Sequence, residues 1–272
     1  MTPKTIQTLS KLNKHFYEVS GSKWNPKPNY YWEGWLELVK YLDLIGRNKE
    51  KNKTIHVLDI GCGNGRFSNF LLEYLPVEFP RSIEYIGMDY AVPMMKQITD
   101  RSGLFVDSLT HTITRSFFEI DLVKNQALEI GEFDLVVGFG VIHHIPSSQL
   151  RRELIGSWSK YLKDNGLLVL TTWDYLDVPR LAKHCLDNNQ FITQAIYQGL
   201  GIDMNEMESG DNLLRWVKYM SEGQYALRYS HYFQEGEIEK DLKSSNLKLI
   251  AKYKMDGGPE KRNSYYVAGK AI

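Results

Sequence analysis

A short apolar strand that runs into a glycine-rich turn and then a helix is the most constraining feature of this sequence. Residues 57–67 read Val-Leu-Asp-Ile-Gly-Cys-Gly-Asn-Gly-Arg-Phe. This pattern is typical of a parallel α/β sheet, in which bare backbone at a strand end lets a ligand approach closely. It indicates a ligand site at Gly61, Gly63 and Gly65.

The residues around the turn distinguish between the ligands that such turns bind. Asp59 stands at the end of the strand, where a carboxylate repels a pyrophosphate and attracts an ammonium or sulfonium group. Arg66 occupies the position at which a dinucleotide turn has Gly or Ala, and no Lys-Ser or Lys-Thr pair follows, as a P-loop requires. The pattern favours S-adenosylmethionine, with a ligand-free turn as the alternative.

The rest of the chain predicts a doubly covered α/β fold. Near-continuous apolar strands alternate with helices, which indicates a mostly parallel sheet. The predicted strands are 55–60, 83–89, 116–120, 133–140, 167–173, 247–254 and 264–269. The last two strands are separated by a Gly-Gly-Pro turn and suit an antiparallel hairpin at the sheet edge.

Three regions follow from this pattern. Residues 1–53 predict a helical cap, with a helix at 5–18 and a second helix after an aromatic cluster at 30–35. Residues 54–272 contain the α/β domain. Residues 174–227 interrupt the strand–helix alternation, and we expect a helical insertion or lid there, with helical pieces at 178–198 and 211–221.

Two further acidic residues stand at predicted strand ends. Asp89 ends the second strand, where a carboxylate can accept hydrogen bonds from both hydroxyls of a ribose. Capping of the next helix is the alternative role. Asp121 follows the third strand, and its spacing alone shows only a strand-end carboxylate.

Charge and cysteine content restrict the partners and the compartment. The formal net charge is zero, but the first 53 residues carry ten Lys or Arg against five acids. A basic end permits a polyanionic partner and equally suits a solvated surface. The sequence has two cysteines, no zinc-ligand spacing, no apolar leader segment and no apolar run long enough to span a membrane. We therefore expect a cytoplasmic protein without a structural metal.

The motifs resemble those of a known enzyme class. The glycine block resembles the first motif of class I S-adenosylmethionine-dependent methyltransferases. The Val-Ile-His-His block at 141–144 and the Arg-Tyr-Ser-His-Tyr-Phe block at 228–233 resemble one subfamily, the tRNA wobble-uridine carboxymethyl methyltransferases, which includes the methyltransferase part of AlkB-type fusion enzymes. The resemblance implies a Rossmann-like, seven-stranded sheet.

The resemblance also implies the cofactor contacts. Asp121 would accept a hydrogen bond from the adenine amine, and apolar neighbours would enclose the adenine ring. The glycine turn would hold the methionine end of the cofactor. The residues expected at the cofactor are Asp59, Gly61, Gly63, Asn64, Gly65, Asp89, Tyr90, Asp121, Leu122, Phe139 and Gly140.

For the acceptor, the resemblance implies esterification of a carboxymethyl group on the first anticodon uridine. The catalytic candidates are His143, Arg228 and His231. Arg228 can grip a carboxylate with its planar fork, and His143 can donate a hydrogen bond. A packed histidine and a structural ion pair are the alternatives for these two residues.

Bases of a single-stranded loop stack on aromatic rings, and lysines contact its phosphates. The candidates are Tyr30, Tyr31, Trp32, Trp173 and Tyr175 for stacking, and Lys14, Lys23 and Lys27 for phosphates. Core packing is the alternative for the aromatic residues.

One departure from the subfamily and two alternatives remain. In the N-terminal motif of that subfamily, an Arg stands a few residues before a Pro-Trp pair. The corresponding stretch of this chain has no Arg and contains Lys27 instead. A small-molecule O- or N-methyltransferase is the second hypothesis, and a binding subunit without turnover is the third. The eukaryotic relatives use a small activating zinc-binding protein, and the sequence does not show whether this chain has such a partner.

Overall fold

The computed structural model describes residues 1–21, 30–46, 53–80, 82–102, 105–108, 110–124, 129–186, 190–216 and 225–271. Within these ranges, eight α-helices surround the sheet. They are α1 Pro3–Gly21, α2 Glu33–Gly46, α3 Arg66–Tyr74, α4 Val92–Ser102, α5 Ser148–Lys160, α6 Pro179–Ala182, α7 Phe191–Gly199 and α8 Glu237–Ser244.

Ten strands form a large and a small sheet in the same ranges. They are β1 Thr54–Ile60, β2 Ser82–Asp89, β3 Phe105–Asp107, β4 Thr112–Glu119, β5 Phe133–Gly138, β6 Leu162–Trp173, β7 Asp211–Trp216, β8 Ala226–His231, β9 Leu247–Met255 and β10 Asn263–Lys270. The large sheet has the order β3-β4-β2-β1-β5-β6-β10-β9, and β7 pairs with β8 alone.

The large sheet confirms the predicted Rossmann-like fold. β4, β2, β1, β5 and β6 run parallel, and β10 runs antiparallel to both β6 and β9. The chain order reverses on either side of β1, and open α/β sheets place ligands at the carboxyl ends of strands at this point. The glycine turn after β1 therefore lies at the ligand crevice.

The sheet has one strand more than the seven expected. β3 is a three-residue strand that pairs antiparallel with β4 at the sheet edge. It covers the free edge of β4, which would otherwise expose unpaired backbone groups.

The insertion contains a strand where a helix was predicted. Asp211–Trp216 forms β7 and pairs with β8, with Leu213 opposite Tyr229 and Leu214 opposite Arg228. The predicted helix at 211–221 is therefore wrong over its first six residues, and its remainder lies outside the described ranges. The predicted helical piece at 178–198 is divided into α6 and α7.

Two apolar clusters hold the sheet, one on each face. Helices α2 and α3 contribute residues such as Leu38 and Phe70 to one cluster, and α5 and α8 contribute residues such as Trp158 and Ile238 to the other. This burial on both faces is what the near-continuous apolar strands predict. It fixes the strand ends that carry the candidate site.

Helix α1 packs on β8 through a buried asparagine. The Oδ1 atom of Asn13 accepts from the Tyr229 amide at 2.7 Å, and its Nδ2 donates to the His144 carbonyl at 3.1 Å. Both groups of the Asn13 amide are thus satisfied by backbone from two other segments. This pairing fixes α1 against the C-terminal third of the chain.

Candidate active site

A cavity of about 1690 Å³ lies where the glycine turn, α1 and the insertion meet. Pockets for one drug-sized ligand usually measure about 300–1,000 Å³, so this cavity has room for a cofactor and an acceptor. Nearly all the residues predicted for the cofactor line its wall. They are Asp59, Gly61, Gly63, Asn64, Asp89, Tyr90, Asp121, Leu122, Phe139 and Gly140.

The glycine turn presents bare backbone to the cavity. Gly61 and Gly63 have φ values of 73° and 56°, in the left-handed region that favours glycine. A Cβ atom on Gly61 would lie 2.0 Å from Cγ2 of Val141, so a side chain would collide with the opposite wall. Gly65 instead forms the N-cap of α3, and a Cβ there would meet Ile98 at 3.0 Å. Gly65 is not among the residues that line the cavity.

Asp89 joins the glycine turn to the start of α4. Its Oδ1 accepts from the Ala91 amide at 2.7 Å, just before α4, and its Oδ2 accepts from the Gly63 amide at 2.8 Å. Burial raises the pKa of Asp89, and these amide hydrogen bonds oppose the shift. Each carboxylate oxygen can accept a further hydrogen bond, so the side chain links the turn to α4 and still offers acceptors to a ribose.

Asp59 is a buried carboxyl in the cavity wall. It is 2% exposed and accepts a hydrogen bond from the phenol of Tyr85. Burial raises the pKa of Asp59 to about 7, against the opposing effect of the Tyr85 hydrogen bond. A cationic ligand beside Asp59 would favour its ionised form.

Asp121 completes a set of three carboxylates in the cavity wall. It accepts from the Val123 amide at 3.1 Å and pairs with Lys124 at 3.2 Å. Leu122 and Phe139 supply apolar wall nearby. Three carboxylate acceptors and apolar surface suit a ligand with an ammonium group, ribose hydroxyls and an aromatic amine, as S-adenosylmethionine has.

A different part of the cavity is built around Arg228. Its guanidinium carbon lies 4.3 Å from the ring centroid of Trp173, 5.2 Å from that of Trp216 and 5.1 Å from that of Phe16. Arg228 is 5% exposed, and its Nε has no hydrogen-bond partner. Burial lowers its pKa, and the groups that oppose this shift are Tyr17, Tyr175 and Cys185, not a carboxylate. Arg228 makes no ion pair within the described ranges. The alternative role considered for it, a structural ion pair, is therefore not seen there.

The two histidines after β5 are both neutral but serve different functions. His144 receives a hydrogen bond from the Tyr17 phenol at Nε2, 2.8 Å away, and its Nδ1 lies 2.9 Å from the Tyr229 carbonyl. Burial and the nearby Arg228 lower the pKa of His144 to about 3. His143 lines the cavity, its pKa is lowered by burial and by His144, and its buried Nδ1 has no partner.

The role of the His143 ring is not fixed by a hydrogen-bond partner at Nδ1. A neutral imidazole has one donor and one acceptor nitrogen, and the buried Nδ1 of His143 has no hydrogen-bond partner within the described ranges.

His231 does not line the cavity, which corrects its prediction as a residue that contacts the acceptor. Side chains alternate between the two faces of a strand, so Arg228 and His231, three positions apart in β8, lie on opposite faces. Nδ1 of His231 lies 2.7 Å from Asp211, and Nε2 lies 2.9 Å from Glu237. Burial lowers the pKa of His231, but these two hydrogen bonds outweigh that effect and the net shift is upward.

The carboxylates around His231 also surround an arginine. Arg151 lies 3.0 Å from Glu208 and 3.3 Å from Glu237. Glu208, Asp211 and His231 come close enough together to hold a metal ion. The Arg151 guanidinium already supplies a positive charge to this group, which explains the cluster as a buried ionic network.

The aromatic candidates separate into two groups. Tyr30, Trp32 and Trp173 line the cavity. Tyr31 packs on α3 and donates to Glu73, and Tyr175 is fully buried and donates to the Ser230 carbonyl. Tyr31 and Tyr175 therefore pack against the core, which was the alternative to base stacking.

Among the predicted lysines, Lys14 lines the cavity. Lys23 and Lys27 lie outside the described ranges.

Sequence reasoning expected a helical cap at the N-terminus but missed two aromatic residues of the cavity, Tyr17 of α1 and Trp216 of β7. Tyr17 lies between the two parts of the cavity, because its ring contacts Tyr90, with centroids 6.3 Å apart, and its phenol interacts with Arg228. These contacts join segments more than seventy residues apart, which no local pattern indicates.

A protein-family model described as a methyltransferase domain matches residues 32–252. This chain belongs to that methyltransferase family. The match covers the glycine turn, the strand-end carboxylates and Arg228. The enzyme class and cofactor expected from the sequence are confirmed at this level: the chain is a class I methyltransferase domain that uses S-adenosylmethionine.

Solved methyltransferases share the fold of this domain. A methyltransferase from Streptomyces caelestis superposes with a TM-score of 0.59 at 12% identity, covering 96% of this chain and 99% of that one. The magnesium protoporphyrin IX methyltransferase of Synechocystis, solved with S-adenosylhomocysteine, gives 0.57 at 14% identity, with 94% and 97% coverage. At these identities the similarity concerns the fold alone.

Curated relatives match a shorter segment. A methyltransferase-like protein of Encephalitozoon cuniculi is 29% identical over 121 residues, 43% of this chain and 44% of that protein. Probable tRNA methyltransferase 9B of Homo sapiens is 26% identical over 119 residues, 43% of this chain and 21% of that protein. The matches thus span less than half the length of these relatives.

None of the helices in the described ranges has both the length and the apolar character needed to cross a bilayer.

Proposed function

We propose that this methyltransferase esterifies the carboxymethyl group of a modified wobble uridine in tRNA. The observation that carries the proposal is the buried Arg228, enclosed by three aromatic rings without a carboxylate partner in the described ranges. A buried charge without a counter-charge is costly. An anionic acceptor supplies that counter-charge, and a planar guanidinium matches a carboxylate with two parallel hydrogen bonds.

The chemistry needs orientation more than it needs a base. A carboxylate is ionised at neutral pH, so its oxygen is already a nucleophile. When bound, the cofactor supplies an electrophilic methyl group on a positively charged sulfur. A bond forms between the acceptor oxygen and the methyl carbon as the carbon–sulfur bond breaks, and the negative charge of the carboxylate disappears. Arg228 holds the oxygen in line for this step and binds the neutral ester more weakly, which favours product release.

The neutral His143 supports a uracil base beside this carboxylate. His143 lines the cavity and its Nδ1 has no partner in the described ranges, and a uracil base offers both hydrogen-bond donors and acceptors. Tyr30, Trp32 and Trp173 provide aromatic surface in the same cavity, on which splayed bases can stack. The similarity to probable tRNA methyltransferase 9B agrees with an acceptor of this kind.

The compartment in which we place this activity is the cytoplasm, since both Cys62 and Cys185 are free thiols. Such thiols suit a reducing environment.

A small-molecule O- or N-methyltransferase is the second candidate. It is favoured by the docking of α1 on β8, which places Asn13 and Tyr17 in the cavity wall. A largely apolar cavity is typical of small-ligand sites. The two candidates differ in the acceptor and share the Arg228 site.

The deciding experiment uses purified protein, isotope-labelled cofactor and tRNA that carries the free carboxymethyl nucleoside. Mass spectrometry of the digested RNA should show labelled methyl ester at that nucleoside. Arg228→Lys keeps a positive charge but lacks the planar fork, so it should lower turnover by about tenfold or more while the cofactor still binds. A protein that binds the cofactor and labels no RNA nucleoside would refute the tRNA proposal.

A further inference from the structure

We propose that one side of α1 is a phosphate-binding surface, formed by Lys4, Lys11 and Lys14, that holds the polynucleotide backbone at the cavity mouth. This inference rests on the proposed function, because it assigns the tRNA acceptor a second contact outside the Arg228 site. All three lysines line the same cavity as Arg228.

The spacing of these lysines places them on one side of the helix. Lys4 and Lys11 are seven positions apart, which is close to two full turns, and Lys14 lies one turn further on. At about 1.5 Å per residue, the three ammonium-bearing positions extend over roughly 15 Å along the axis. That length suits a row of phosphates better than one small anionic ligand.

The charges on this surface are available to a ligand. Lys4 and Lys11 are exposed and Lys14 is half-buried, and none of the three forms an ion pair within the described ranges. Gln7 lines the cavity between them and adds a side-chain amide that suits a sugar–phosphate backbone.

The α5 side of the cavity does not suit phosphates. Glu153 lines that side and carries a negative charge, and Gln149 donates to it at 2.9 Å. Elsewhere in the cavity wall, Lys124 is paired with Asp121, and Arg180 is paired with Glu260. A polyanion is therefore favoured on the α1 side over the α5 side.

The position of this surface relative to the reacting groups is fixed. Asn13 lies between Lys11 and Lys14 in the helix and binds backbone of both Tyr229 and the segment after β5. Tyr17, one turn beyond Asn13, interacts with Arg228. A nucleotide backbone held by the lysines thus has a set distance to the guanidinium that would hold its carboxymethyl group.

The test compares two triple variants with the same change in charge. The first is Lys4→Gln, Lys11→Gln and Lys14→Gln. The control is Lys240→Gln, Lys243→Gln and Lys248→Gln, three exposed lysines that do not line the cavity. Each phosphate contact contributes about 0.7–0.9 to the slope of log affinity against log salt concentration. We expect the tRNA-binding slope of the α1 variant to fall by about 2 or more and that of the control to remain near the wild-type value.

Cofactor binding and the unfolding temperature of each variant provide checks on folding. Equal slopes in the two variants overturn the α1 surface even if the wild-type protein methylates tRNA, so the proposed function then survives alone. A wild-type protein that leaves tRNA unmethylated overturns the proposed function and this inference with it.

Discussion

The phenol oxygen of Tyr17 lies 2.8 Å from Nε2 of His144, and this pair joins α1 to the end of β5. Nδ1 of His144 continues the chain of hydrogen bonds to the Tyr229 carbonyl in β8. Because a neutral histidine has one donor and one acceptor nitrogen, the ring can link a phenol to a carbonyl without unpaired atoms. The N-terminal helix is therefore part of the site and not only a cover over it.

Removing the Tyr17 hydroxyl should damage the acceptor site more than the cofactor site. In Tyr17→Phe, the buried Nε2 of His144 loses its donor, which costs about 1–3 kcal/mol in unfolding free energy. Arg228 also loses its hydrogen-bonding neighbour. We expect a raised KM for the acceptor and a nearly unchanged cofactor Kd, measured by steady-state kinetics and calorimetry. Tyr74→Phe, at a half-exposed tyrosine of α3, is the matched control.

Variants of Asp89 and Arg228 should separate the two parts of the cavity. Asp89→Ala removes a charged acceptor, and hydrogen bonds to charged groups contribute about 1.5–3 kcal/mol, so the cofactor Kd should rise by roughly tenfold to a hundredfold. Arg228→Ala should spare cofactor binding and lower turnover. Calorimetry on both proteins measures the difference. A similar loss of cofactor affinity in Arg228→Ala would contradict two separate sites.

Cofactor affinity should increase with pH through the titration of Asp59. Burial raises the pKa of this carboxyl to about 7, so much of it is protonated at pH 6, and a cationic ligand must displace that proton. Affinity should improve between pH 6 and pH 8, with proton release visible as a dependence of the binding enthalpy on the buffer. In Asp59→Asn the affinity should be weaker and its pH dependence flatter. An unchanged pH dependence in this variant would exclude Asp59 as the responsible group.

His231 should contribute a pH-dependent part of the folding stability. Its hydrogen bonds to Asp211 and Glu237 raise its pKa above the ordinary value despite burial. A group whose pKa is raised on folding stabilises the folded state fully below its unfolded value of about 6.5 and loses that effect as pH rises through the folded value. The unfolding free energy should therefore fall between pH 6 and pH 8 more steeply in the wild-type protein than in His231→Gln. Parallel curves for the two proteins would contradict this assignment.

The cofactor part of the site could be predicted from sequence because its residues belong to a local rule. Glycines, strand-end acids and the residues after β5 all stand at carboxyl ends of parallel strands, where such sheets bind ligands. Ten of the eleven residues expected at the cofactor line one cavity. The exception, Gly65, is a helix cap whose conformation demands glycine for backbone reasons.

The acceptor part could not be predicted in the same way. The sequence Asp-Asn-Leu-Leu-Arg-Trp of β7 shows no alternation of apolar and polar residues, so its pairing with β8 is not visible locally. His231 was expected beside Arg228 because the two share a motif, but the pleat of a strand directs positions three apart to opposite faces. The contacts of Asn13 depend on tertiary packing and leave no periodic signal.

The Asn13 bridge has a consequence for the order in which the enzyme becomes competent. Asn13 and Tyr229 are separated by 216 positions, whereas the turn and carboxylates expected at the cofactor lie between residues 59 and 140. During synthesis, the segment expected to recognise the methyl donor emerges before the strand that contains Tyr229. The Asn13 contact beside the acceptor part of the cavity therefore forms only after Tyr229 has been made.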